Sequence, residues 1–175
     1  MDILVSSNLE RLLYLSCGRN AAKTKELMEQ LSKNGKYEIT PEMKEFMKDF
    51  SAGYADMEEN AKEIKKVFDD TGYLIDTHTG VAAAVYEQYK TKTGDTTKTI
   101  IASTASPYKF SRSVMEAVLG KKEDADEFAL IDEMERISGV KIPQAIEEIR
   151  DAKILHNRQC KPEEMEETVK QTFSK

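Results

Sequence analysis

Only one run in this chain reads convincingly as a β-strand, and that narrows its possible folds more than any other feature. Lys98-Thr-Ile-Ile-Ala-Ser-Thr104 is β-branched and apolar, the pattern of a buried parallel strand. Ala105-Ser106-Pro107 then opens a helical series at Phe110, Val114, Met115, Val118 and Leu119 that stops at Gly120, so a βα junction is predicted at 103–107. Gly72-Tyr-Leu-Ile-Asp76 offers a short second strand or a loop. Two strands make a poor sheet on their own. Either further strands lie at Ile3–Val5 and Lys36–Ile39, or the chain is a piece of a larger α/β body.

Nearly everything else carries the helical period. Leu9, Leu12, Leu13 and Leu15 follow Ser7 and Asn8, either of which can accept from the first free N–H groups of a helix. Leu27, Met28 and Leu31 repeat the pattern before Asn34-Gly35. Thr40-Pro41 opens a segment running to Phe50, with Phe46, Met47 and Phe50 on one side. Asp56 caps the series Met57, Ala61, Ile64, Val67 and Phe68, and Val81, Ala82, Val85 and Tyr89 mark a helix over Thr77–Tyr89. Beyond Gly120 come an acidic helix through Phe128 and Met134, a short one opened by Pro143, and a last one opened by Pro162. In the last, Met165, Val169 and Phe173 fall four apart on one face.

Length and charge bound the function. With 175 residues, 39% of them hydrophobic, the chain can bury a real core. Its 26 Lys and Arg against 32 Asp and Glu give a net charge of -6, so no overall basic field draws in a nucleic-acid backbone. No apolar run is long enough for a membrane span, and the N-terminus lacks the basic start and apolar core of a secretory signal. A cytoplasmic location is expected, with neither nucleic acid nor membrane as a partner. Cys17 and Cys160 read as plain thiols, and His78 and His156, the only histidines, lack metal-binding spacing, so no metal site is expected.

Two stretches carry chemistry. Ser103-Thr-Ala-Ser-Pro-Tyr-Lys-Phe110 would lie beyond the end of the expected strand, where parallel α/β folds bind ligands. Ser103 and Thr104 can exchange hydrogen bonds with a ring nitrogen or a polar substituent, and Lys109 can meet an anion. The plainer alternative has Ser106 capping a helix and Lys109 facing solvent. Asp76-Thr-His-Thr-Gly80 sets His78 beside two threonines near a helix start, with acid-base or hydrogen-bonding capacity. Capping by Asp76 or Thr77, with His78 packed on the next loop, explains this stretch as well. His156 has no companion of diagnostic spacing. The phosphate-loop and hydrolase-elbow patterns GxGxxG, GxxxxGK[ST] and GxSxG are absent.

Three ordered segments, Met1-Asp-Ile-Leu-Val-Ser-Ser-Asn-Leu-Glu-Arg-Leu-Leu-Tyr14, Gly72-Tyr-Leu-Ile-Asp-Thr-His-Thr-Gly-Val-Ala82 and Ser103-Thr-Ala-Ser-Pro-Tyr-Lys-Phe110, resemble the C-terminal part of threonine synthases. The resemblance implies an α/β fold, a helix-rich C-terminal fragment of a fold-type-II pyridoxal-phosphate enzyme with a few mostly parallel strands. It implies a full-length lyase that converts O-phospho-L-homoserine and water to L-threonine and phosphate. Family members hold the cofactor through a lysine and a phosphate loop in the N-terminal half, and a hydroxyl residue after a late strand contacts the pyridine nitrogen. Carried onto this chain, Thr104 stands first for that contact and Ser103 second, with His78, Thr79 and Lys109 as active-site lining and no catalytic residue assigned.

Departures qualify the match. The family more often has Pro at the position of Thr77 and Ala at that of Gly80, and the cofactor lysine and phosphate loop find no counterpart here. The resemblance therefore implies a chain inactive by itself, whose partners are the N-terminal half and a small-molecule substrate. It also implies exposed apolar surface that favours self-association. The expected division is a helical portion at 1–71, a remaining part of the cofactor domain at 72–120 and a helical C-terminal extension at 121–175. The alternative is a non-enzymatic module that completes or regulates a separate N-terminal half.

Overall fold

A computed structural model describes residues 5–155 and 157–174. Nine α-helices occur among them: α1 Ser7–Ser16, α2 Ala21–Asn34, α3 Pro41–Phe46, α4 Met57–Thr71, α5 Thr77–Thr93, α6 Ser111–Leu119, α7 Glu127–Ser138, α8 Gln144–Arg150 and α9 Met165–Phe173. Single 3-10 turns at Pro107–Phe110 and Pro162–Glu164 precede α6 and α9. His156 and the Ile3 and Leu4 of an expected strand lie outside the described residues.

Local caps set most of these boundaries. Asp56 and Glu59 form a reciprocal box, in which Glu59 N donates to Asp56 Oδ1 at 2.8 Å and Asp56 N to Glu59 Oε2 at 2.9 Å. Thr40 Oγ1 accepts from Met43 N, with Pro41 at the first turn. The cap of α1 is Ser6, one residue ahead of the expected Ser7 and two ahead of Asn8. Gly72 ends α4 at φ 72°, a left-handed backbone that glycine enters without steric penalty. The third helix stops at Phe46, short of the Phe50 its apolar spacing suggested, and Met47 to Asp49 continue as turn.

The expected α/β class is overturned. No β-strand occurs among the described residues, and the fold is all-helical. Residues 98–104 run as coil, with Ile100 96% exposed and Ile101 alone packed against a core. The reason is that β-propensity describes how a side chain fits a pleated, half-buried surface; without a neighbouring strand that surface does not exist. Residues 73–76 likewise form a connection between α4 and α5, although Leu74, Ile75 and Asp76 are buried in it.

The chain divides into two compact units. One comprises the residues through Tyr54 together with Val85–Lys98. Its core is Leu13, Leu27 and Met43, contributed by α1, α2 and α3, with Cys17, Met28, Tyr37, Ile39 and Met47 packed around them. Cys17 Sγ sits 3.7 Å from Met43 Sδ, a soft contact typical of a thiol used as a small hydrophobe.

The other unit comprises Ala55–Ala84 and Thr99–Lys175. Here α6 packs on α4 and on α7, and Ile64, Leu74, Ile75, Val114, Met115, Leu130 and Met134 meet in one buried cluster. Val114, Met115 and Met134 are fully buried. Each such side chain contributes about 1.5–3 kcal/mol, so this cluster dominates the stability of the unit.

Candidate functional site

Residues 72–76 lead from α4 to α5, and the helix start turns on Asp76. Its carboxylate is fully buried and anchors four donors. Oδ1 accepts from His78 N at 2.8 Å, from Thr79 N at 3.4 Å and from His78 Nδ1 at 3.2 Å. Oδ2 accepts from the Thr79 hydroxyl. The two backbone bonds are ordinary capping. Burial pushes the carboxyl's pKa up, but the hydrogen bonds from Thr79 and His78 together outweigh it and hold the carboxyl below its usual range. The site therefore contains a buried, ionised carboxylate. Because a carboxylate only accepts, the contact with His78 calls for a hydrogen on Nδ1.

The second stretch reaches this carboxylate through a hydroxyl. Thr79 Oγ1 lies 3.1 Å from Ser103 Oγ, so Asp76, Thr79 and Ser103 form a continuous polar line from the buried cap to an exposed loop. His78 packs on Phe110, ring centroids 4.9 Å apart at 55°, and Lys109 Nζ lies 5.8 Å from the same ring. Ser106 caps the 3-10 turn by accepting from Tyr108 N at 3.3 Å.

That turn is held firmly from behind. Tyr108 is buried and donates its hydroxyl to Val140 O, and burial pushes its phenol pKa up. Ser111 Oγ donates to Glu127 Oε2 at 2.6 Å. The Arg112 guanidinium donates to Glu127 Oε1 at 2.8 Å, to Glu123 O at 2.6 Å and to Ala125 O at 2.8 Å. These ties fix the start of α6 and with it the loop carrying Ser103 and Thr104.

Of the five residues singled out in the sequence, His78, Thr79 and Ser103 meet around Asp76, and Lys109 joins through Phe110. Thr104 is exposed, and no described residue holds its hydroxyl. Sequence reasoning missed the reach of Asp76 beyond its cap and the roles of Phe110 and Asn60. Asn60 donates from Nδ2 to Thr77 O at 3.0 Å, and its buried Oδ1 has no partner. That oxygen stands 2.2 Å from where a Cβ on Gly80 would lie, so the space at Gly80 is taken by Asn60.

The larger unit thus brings together a carboxylate-anchored line of hydroxyls, an aromatic ring and a lysine. The family model "Threonine synthase, C-terminal" matches residues 79–158, which include Thr79, Ser103, Thr104 and Lys109. "Threonine synthase" of Saccharomyces cerevisiae is 30% identical over 173 residues, covering 90% of this chain and 34% of that protein. "Threonine synthase-like 1" of Macaca fascicularis is 34% identical over 119 residues, covering 67% of this chain and 16% of that protein. The crystal structure of pyridoxal-phosphate-bound threonine synthase from Brucella melitensis superposes with a TM-score of 0.59 at 31% identity, covering 81% of this chain and 29% of that one. The chain belongs to the threonine synthase family, as a C-terminal region. It spans 16% and 34% of the length of the two curated relatives named.

Proposed function

We propose that this chain supplies the C-terminal part of a pyridoxal-phosphate-dependent threonine synthase, which converts O-phospho-L-homoserine and water to L-threonine and phosphate. The observation that carries the reading is a coincidence of two kinds. The segment that matches the family contains the exposed residues Ser103 and Thr104, and the Ser103 hydroxyl lies 3.1 Å from that of the anchored Thr79. Uncharged hydroxyls suit the ring-nitrogen side of a pyridine cofactor, so the donor set fits that part of the group. When bound, pyridoxal phosphate supplies the electron sink for chemistry on the amino-acid substrate.

In this reading Thr104 or Ser103 meets the ring nitrogen, and His78, Thr79 and Lys109 line the same side. Residues 72–120 form this chain's share of the cofactor domain, between a helical portion at 1–71 and a helical extension at 121–175. The cofactor lysine and phosphate loop come from an N-terminal half that acts as the partner, and the chain alone does not turn over substrate. Exposed Leu9, Phe46, Phe50, Met165, Val169 and Phe173 supply apolar surface for packing against another polypeptide or a second copy.

The test joins this chain to the N-terminal half of a threonine synthase and follows cofactor absorbance and phosphate release from O-phospho-L-homoserine. The joined protein should bind cofactor and release phosphate, and the separate chain should do neither. Thr104→Ala should change the spectrum and turnover more than Lys109→Ala. Equal cofactor binding by the chain alone would remove the need for an N-terminal half.

A further inference from the structure

We propose that Asp76, acting through Thr79, fixes the direction of the Ser103 hydroxyl, so that Ser103 offers only lone pairs to a group bound beside it. The argument is a count of hydrogens. A threonine hydroxyl has one, and a carboxylate can only accept. The Thr79 hydrogen is committed to Asp76 Oδ2. Thr79 Oγ1 and Ser103 Oγ are 3.1 Å apart, and that contact can be a hydrogen bond only if Ser103 is the donor. The single hydrogen of Ser103 then points inward, and lone pairs remain on its exposed side.

Full burial makes this line directional. Asp76 accepts backbone N–H groups of His78 and Thr79 on Oδ1, so its carboxylate cannot rotate without abandoning the start of α5. In a low-dielectric setting each hydrogen bond of such a chain polarises the next. Asp76 is thus a positioning residue, and Ser103 selects ligands that bring a hydrogen: an N–H, an O–H or an ammonium group. The identity of the ligand rests on the proposed function; the direction of the hydroxyls does not. Under that function, a ring nitrogen beside Ser103 would have to carry a hydrogen, and one without would take its hydrogen bond from Thr104.

Asp76→Asn is the discriminating variant. Its carbonyl oxygen would keep the backbone N–H groups, and its amide nitrogen would take the place of Oδ2 and donate to Thr79. Thr79 would then donate to Ser103, whose hydrogen would turn outward. Neutron diffraction from the perdeuterated chain reads these positions directly and needs no cofactor, so a failure here is distinct from a failure of the cofactor titration. In the wild type, deuterium on Thr79 Oγ1 should point to Asp76 and that on Ser103 Oγ to Thr79; Asp76→Asn should reverse both. A wild-type Thr79 deuterium directed at Ser103 would overturn the proposal, as would an unreversed Ser103 in Asp76→Asn. Where that variant does not fold, Thr79→Val removes the acceptor with little change in shape, and a Ser103 deuterium that still points inward would overturn the proposal equally.

Discussion

Replacing Gly80 by alanine should destabilise the larger unit, although alanine is the better helix former. Gly80 lies in the second turn of α5, where the exchange alone would contribute about 1 kcal/mol in alanine's favour. The new Cβ would stand 2.2 Å from Asn60 Oδ1 and 2.8 Å from Ile64 Cγ1, closer than real atoms approach. Overpacking of this kind costs about 1–3 kcal/mol. Moving Asn60 aside also gives up its hydrogen bond to Thr77 O, worth about 1 kcal/mol. The balance is a net loss of about 1–3 kcal/mol, and each kcal/mol lowers the melting temperature by about 2–4 °C in a chain of this size. Asn60→Ala alone should be near neutral, since it loses one donor but also removes a buried oxygen without a partner. In that background Gly80→Ala should fall within about 1 kcal/mol of neutral, a coupling of about 1–2 kcal/mol by urea denaturation. A Gly80→Ala protein more stable than wild type, or a cycle without coupling, would refute the steric account.

Asp76→Ala should cost about 2–4 kcal/mol, because buried donors of His78 and Thr79 lose their acceptor together. The carboxyl is held below its ordinary value, so its contribution is fully present above about pH 4 and is lost as pH falls through the lower folded value. Denaturation followed from pH 7 to pH 3 should show that acid loss in wild type and a shallower one in Asp76→Ala; identical slopes would contradict the assignment. Tyr108→Phe should cost about 0.5–1.5 kcal/mol by leaving Val140 O unpaired, measurable as a shifted urea midpoint with an unchanged slope. Arg112→Lys should cost about 1–2 kcal/mol, since an ammonium cannot span Glu127, Glu123 O and Ala125 O together, and calorimetry should register it.

What the sequence revealed divides by distance along the chain. Asp56, Thr40 and Gly120 act on backbone within four residues of themselves, and each boundary they mark is found where expected. Three consecutive polar residues, Ser6 to Asn8, made the start of α1 ambiguous, and Ser6 takes the capping role. The expected strand failed because a ladder is a relation between distant segments, and residues 98–104 display only their own preferences. The candidate site behaves alike. Capping at Asp76 was readable as a structural alternative and is present, whereas His78, expected against the next loop, packs on Phe110 of the 3-10 turn before α6. The joining of Thr79 to Ser103, 24 residues away, was not readable, because nothing local in either stretch announces the other.

The packing of α4 on α6 sets a timetable for synthesis. Ile64 is nearly inaccessible in the finished unit, yet Met115, with which it shares a core, is made 115 − 64 = 51 residues later. At about 5–20 residues per second, the apolar stripe of α4 emerges from the ribosome roughly 3–10 s before its cover emerges. The smaller core closes sooner, since Met43 follows Leu13 by only 30 residues. A nascent chain of this protein therefore carries one closed core and one open stripe for several seconds, and the open stripe is where holding chaperones would bind.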